Sequence, residues 1–169
     1  MLGFYENFPA SIHMVETFSS VLSSRVLQQK LIHLFCEANK KEFSFEEVAI
    51  PTIPGCKLFF EFGLADSLSF CFIDEEETEK ALDILAKEHL GQMDFFCSIR
   101  YYKGKPEKKN ALKFDYYLFR TIYGKNLFEI QVHHERGPRY LSPEDLTMFI
   151  FNRINEGSNR KTLKKTNTI

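Results

Sequence analysis

The fold is most legible in the stretch Ala111-Leu112-Lys113-Phe114-Asp115-Tyr116-Tyr117-Leu118-Phe119-Arg120-Thr121-Ile122-Tyr123. Its aromatic and β-branched residues suit a pleated, half-buried surface. A period of two places Tyr117, Phe119, Thr121 and Tyr123 on one face of a strand, and Leu112, Phe114, Tyr116, Leu118 and Ile122 on the other. Both sets are largely apolar, so both faces are expected to be covered, which argues against an open stacking platform on this strand. Gly124-Lys125-Asn126 carries tight-turn residues and leads into a second strand, Asn126 to His134. A third strand, Asp94 to Tyr102, precedes them across a longer charged loop, Lys103 to Asn110. Consecutive strands joined this closely pair antiparallel.

Working towards the N-terminus, Asp74 with Glu77 three residues on forms a capping-box arrangement. Glu75, Glu76, Glu77 and Glu79 suit the positive end of the helix dipole. Leu82, Leu85, Ala86 and His89 mark the inner face of that helix, and Gly91 its stop. Before it, Leu58, Phe60 and Phe62 share one strand face and Leu68, Phe70 and Phe72 another, with Gly63 to Ser67 as the hairpin connection. Lys40 to Gly55, with Pro51 and Pro54, reads as loop or sheet edge, since proline cannot donate to a central ladder. A helix from about Arg25 to Asn39 presents Leu27, Leu31, Leu34 and Phe35 as one stripe. A first strand covers Ser11 to Phe18. At the other end, Ser142 as N-cap, Pro143 at the first helical position and Glu144 and Asp145 behind it start a last helix. Leu146, Phe149, Ile150, Arg153 and Ile154 form one stripe of it.

The fold class is therefore α+β: a curved, mainly antiparallel sheet of about six strands in the order β-α-β-β-α-β-β-β-α, with two to three helices on one face. Residues 1–157 are expected to form a single domain and 158–169 a basic, disordered tail. The element order resembles folds of the TATA-binding-protein-like or helix-grip kind; that resemblance rests on order alone and carries no function.

The 169 residues are 44% hydrophobic and 27% charged, which excludes a disordered, collagenous or disulfide-scaffold protein. No apolar run approaches the roughly 18–20 residues that cross a bilayer, and Met1-Leu2-Gly3-Phe4-Tyr5-Glu6 lacks the start of a secretory signal. A soluble, cytoplasmic protein without membrane contact is expected. Cys36, Cys56, Cys71 and Cys97 form no CxxC pair. Three of them are read as buried hydrophobes and Cys56, after Gly55, as the exposed one. Neither a glycine-rich phosphate loop nor an HExxH, GxSxG or EF-hand pattern occurs. No catalytic residue, cofactor or metal site is expected.

Charge is divided along the chain. Residues 1–99 hold 7 Lys and Arg against 16 Asp and Glu, whereas residues 100–169 hold 15 against 7, so a net charge of −1 hides a dipolar chain. Six of the seven tyrosines lie in the basic half. The leading expectation is a non-enzymatic accessory domain that binds RNA or single-stranded DNA through the hairpin Arg100 to Lys125 and the basic tail (Arg160, Lys161, Lys164, Lys165). Arg100, Lys103, Lys105, Lys108, Lys109 and Arg120 would take phosphates, and Tyr101, Tyr102 and Tyr117 would stack on bases. The plainer alternative is that the tyrosines are ordinary strand residues and the lysines protect a sheet edge. A second expectation is a ligand domain in which His134, Arg136 and Arg139 orient a small anionic or apolar ligand in a Phe-lined cavity. A third is a homo-oligomer joined through the acidic and basic halves, or through Phe59, Phe96 and Phe119 on a less-buried sheet face.

Overall fold

The structure is a computed structural model that describes residues 1–103, 111–156 and 162–166. The chain runs β1 (Met14–Ser20), α1 (Ser24–Ala38), β2 (Glu42–Ser44), α2 (Phe45–Val48), β3 (Cys56–Asp66), β4 (Ser69–Phe72), α3 (Glu75–Lys87), β5 (Gln92–Lys103), β6 (Ala111–Gly124), β7 (Leu127–Arg136), α4 (Pro143–Asn155) and β8 (Leu163–Lys165). It is an α+β fold with one antiparallel sheet in the order β2-β3-β5-β6-β7-β1-β8, and β4 pairs with the far end of β3.

The elements start where local chemistry dictates. Ser23 caps α1 by accepting from the Val26 N–H, and Asp74 caps α3 by accepting from the Glu77 N–H at 2.8 Å. On α4, Ser142 and Asp145 exchange side-chain and backbone bonds in a capping box, with Pro143 in the first turn. Leu27, Leu31, Ile32 and Phe35 of α1 and Leu146, Phe149, Ile150 and Ile154 of α4 are buried against the sheet. The sheet's inner face answers with Leu58, Phe60 and Phe62, then Phe95, Cys97, Ile99 and Tyr101, then Tyr117, Phe119, Thr121 and Tyr123. Phe35 stacks on Phe62 at 4.3 Å, and its ring edge meets Phe95 at 5.0 Å and Phe119 at 5.6 Å. Each such ring contributes about 1.5–3 kcal/mol by leaving water. The phenylalanines expected to line a cavity are instead packed on one another.

Several features differ from the expectations above. The segment expected to be irregular holds β2 and α2, because Phe43 and Phe45 are buried, Phe43 edge-on to Phe60 and Phe149. Cys56 is buried, not exposed: it faces inwards opposite Lys103 on β5. Phe119 is fully buried, whereas Phe59 and Phe96 lie half-buried on the opposite face. α3 ends at Lys87; Ala86 and His89, expected on its inner face, are exposed, and Leu90 is buried ahead of β5. β3 extends further than expected, to Asp66, and meets β4 in a tight turn in which Ser67 has φ 59°. Within the stretch expected as a tail, Leu163 is buried and Leu163–Lys165 pair with β1. Lys105, Lys108, Lys109, Arg160 and Lys161 lie outside the described residues.

The sheet's alternation breaks twice among the described residues: between β5 and β6 at Tyr101 and Tyr102, which face Lys113 and Ala111, and between β6 and β7. Between β6 and β7 the register shifts, so that Tyr116 faces Arg136 while Tyr117 faces His134. Glu135 is the extra residue of a β-bulge. Arg136 and His134, which strict alternation would place on one face, therefore project from opposite faces of the sheet.

Candidate nucleic-acid interface

The expected site residues divide between the two sides of the sheet. Tyr101 and Tyr117 are fully buried beneath the helices. The Tyr101 hydroxyl donates to Asp115 Oδ2 at 2.7 Å and accepts from the Leu141 N–H at 2.8 Å, and the Tyr117 hydroxyl donates to the Leu141 carbonyl. Neither ring can stack on a base. Burial foremost, with the Asp115 charge behind it, pushes both phenols above the ordinary tyrosine range.

Asp115 is the centre of this buried network. Its carboxylate also accepts from the Arg139 N–H (2.8 Å) and the Tyr140 N–H (3.0 Å), and Oδ1 lies 2.8 Å from His134 Nε2. The loop after β7 must therefore fold tightly over Asp115, and Gly137, at φ 119°, allows it. A Cβ there would stand 2.3 Å from the Phe114 carbonyl oxygen and 2.4 Å from Asp115 Oδ1. The His134–Asp115 pair is thus a strut between strands and loop. With Arg136 on the other face and Arg139 joined to the network through its backbone, the structure does not bring His134, Arg136 and Arg139 into one anion pocket.

Arg120 is likewise engaged. Its Nε and Nη2 reach the two oxygens of the fully buried Asp94 at 2.7 and 3.0 Å, and its guanidinium lies 4.2 Å from the centre of the Phe8 ring. Asp94 also accepts from the Tyr5 N–H at 2.9 Å. A buried carboxylate needs such a partner, so Arg120 ties the N-terminal segment to the sheet. Tyr102 is 7% exposed, donates to Glu42 and stacks on Phe59 at 5.5 Å. Burial, then that Glu42 contact, raises its phenol, and the same bond lowers the Glu42 carboxyl.

The side chains that remain accessible lie on the outer face, away from the helices. Strand pairing places Phe59, Arg100 and Phe114 in one row across β3, β5 and β6. The next row holds Glu61, Ser98, Tyr116 and Arg136. Arg100 lies 5.0 Å from the Phe59 ring centre and Arg136 lies 4.9 Å from that of Tyr116. The rings form a continuous diagonal track: Tyr5–Phe70 (4.6 Å), Phe70–Phe96 (5.6 Å), Phe96–Tyr116 (6.1 Å) and Tyr116–Phe114 (6.1 Å). Phe114, 41% exposed, ends the track opposite Arg100.

No protein-family model matches the chain, and no similar curated protein or solved structure was found. Of the residues expected from the sequence, Arg100 lies in this region; Lys103 is exposed at the end of β5 but pairs with the inward-facing Cys56, on the opposite face from Arg100. The stacking residues expected from the sequence, Tyr101 and Tyr117, belong to the inner face. The rings that stand here instead are Phe59, Phe70, Phe96, Phe114 and Tyr116, and Arg136 joins them in place of its expected role beside His134. Alternation puts Phe114 and Tyr116 opposite Tyr117; the same alternation on β5 is the signal that joins them with Phe96 and Arg100.

All four cysteines are free thiols. Among the described residues no group of His, Cys, Asp and Glu could hold a metal ion, and no helix is long and apolar enough to cross a membrane.

Proposed function

We propose that this chain binds single-stranded nucleic acid, RNA or DNA, on the outer face of β3, β5, β6 and β7. The observation that carries the reading is the aromatic track from Phe70 to Phe114 with two arginines lying on its neighbouring rings. Unpaired bases stack on Phe114, Tyr116 and Phe96, each accessible ring contributing about 1–3 kcal/mol. Arg100 and Arg136 neutralise phosphates and release counterions. Glu61 and Glu135 border the arginines and limit how many phosphates the face can carry. Duplexes are disfavoured, because their bases cannot reach ring faces on a sheet surface. The function is one of binding without chemistry, in a reducing cytoplasmic setting that suits four free thiols.

The test is a pair of double variants assayed against a fluorescein-labelled oligouridylate. Phe114→Ala with Tyr116→Ala lowers affinity by about 10- to 100-fold at any salt concentration. Arg100→Glu with Arg136→Glu lowers it at low salt and flattens the salt dependence. Unchanged affinity in both, with melting temperatures within a few degrees of the parent, removes the outer face as the site.

A further inference from the structure

A second accessible site lies on the other side of the molecule, where α1 and α4 flank β2. Here a groove of about 410 Å³ runs between the two helices, within the range of small-ligand pockets. Its apolar lining comes from Leu34, Phe43 and Phe149. Phe43 and Phe149 are held rigidly, edge-on to each other at 5.6 Å, and both pack on Phe60.

Its charges are unevenly matched. The Arg153 guanidinium lies 5.2 Å from the Phe43 ring centre and 5.3 Å from that of Phe149, and Lys41 Nζ lies 5.7 Å from the same Phe43 ring. Two cations thus converge on one aromatic side chain, and Lys30 joins them in the lining. The two carboxylates of the groove are already engaged: Glu37 meets Lys40 at 3.2 Å and Glu156 meets Arg153 at 3.4 Å. Among the described residues Lys30 and Lys41 make no ion pair. Lys30 and Lys41 thus stand without an acidic partner beside Arg153, whose single contact to Glu156 is long at 3.4 Å, and the groove suits a ligand with an apolar body and an oxygen-anion head.

We propose that the α1–α4 groove binds a small amphipathic monocarboxylate, its apolar body against Leu34, where the largely buried Phe43 and Phe149 reach the groove, and its carboxylate on Lys41 and Arg153. The site is independent of the outer sheet face: it uses different residues and a different ligand chemistry.

The experiment titrates the full chain by calorimetry with 2-naphthoate and with decanoate, alongside the neutral 2-naphthamide, and maps shifts by amide NMR. The expected result is saturable binding of a carboxylate, about tenfold or more above the amide, with shifts confined to α1, α4 and Phe43. Lys41→Gln and Arg153→Gln each weaken it about tenfold or more, while Lys125→Gln in the distant β6–β7 turn leaves it unchanged. Arg153→Gln also removes packing on two rings, so Lys41→Gln, an exposed position, supplies the decisive variant. No saturation by either carboxylate up to about 5 mM, equal binding of acid and amide, or parental affinity in Lys41→Gln overturns the proposal.

Discussion

Arg136 lies over the ring of Tyr116, 4.9 Å from its centre, on the face of the sheet opposite His134. The bulge at Glu135 produces that arrangement. Without it, Arg136 would point with His134 into the Asp115 network, and the outer face would lose one of its two arginine–ring stacks. The same irregularity thus serves a buried strut on one side and an accessible cationic ring on the other. Deleting Glu135 should remove the extra residue rather than pair it, and leave Arg136 opposite Tyr116 in a regular ladder, so the Tyr116 ring shift in NMR spectra should persist; its loss would contradict the bulge.

Asp115 is the residue whose loss should harm the fold most. In Asp115→Ala the Tyr101 hydroxyl, the Arg139 and Tyr140 N–H groups and His134 Nε2 all lose their acceptor in a dry interior. A loss of about 3–5 kcal/mol is expected from urea unfolding. A loss below about 1 kcal/mol would mean that the loop after β7 is not held by this carboxylate.

Gly137 gives a sharper contrast. Gly137→Ala must accommodate a Cβ 2.3 Å from a backbone oxygen at φ 119°, so a fall of about 2 kcal/mol or more is expected. Gly91→Ala, where a Cβ meets nothing within 4 Å, should be tolerated within about 0.5 kcal/mol. Comparable melting temperatures for the two variants would contradict the tight wrap over Asp115.

The N-terminal approach to β1 carries a pH dependence. His13 Nδ1 accepts from the His134 N–H at 2.8 Å, and its ring stacks on His133 at 4.9 Å. Desolvation first, then the charges of Arg139, His133 and His134, lowers its pKa below 6.5. The unfolded chain therefore binds this proton more readily than the folded one, and stability rises with pH between the two values. The contribution is fully present above pH 6.5 and is lost as pH falls through the depressed folded value. Replacing His13 with Gln should make the unfolding free energy less steep in pH across that window, and an unchanged slope would exclude His13 as the titrating group.

Much of this fold is legible in the sequence because its patterns are local. Alternation along Phe114 to Tyr123 separates inner from outer residues correctly, and the caps at Asp74 and Ser142 and the stripe from Leu27 to Phe35 locate the starts of three helices to within a residue or two. What escapes depends on distant partners. Phe43 stands alone among polar neighbours, and only its contacts with Phe60 and Phe149 make a strand of Glu42–Ser44. Leu163 is a similar single anchor: it sits buried where β8 meets β1. The accessible ring track assembles Phe70, Phe96 and Tyr116 from three strands, so it depends on register, which composition does not specify. Tyr101 and Tyr117 carry the right residue type on the wrong face for stacking: their hydroxyls serve Asp115 and the Leu141 carbonyl.

Binding of single strands to the outer sheet face is best examined by fluorescence anisotropy. Labelled single-stranded RNA, single-stranded DNA and duplex DNA are each titrated with the full chain, from about 50 to 200 mM salt. Single strands are expected to bind more tightly than the duplex, with log affinity falling linearly in log salt at a slope that reflects about two phosphates. Absence of binding at the lowest salt, or a preference for the duplex, would contradict the proposed function.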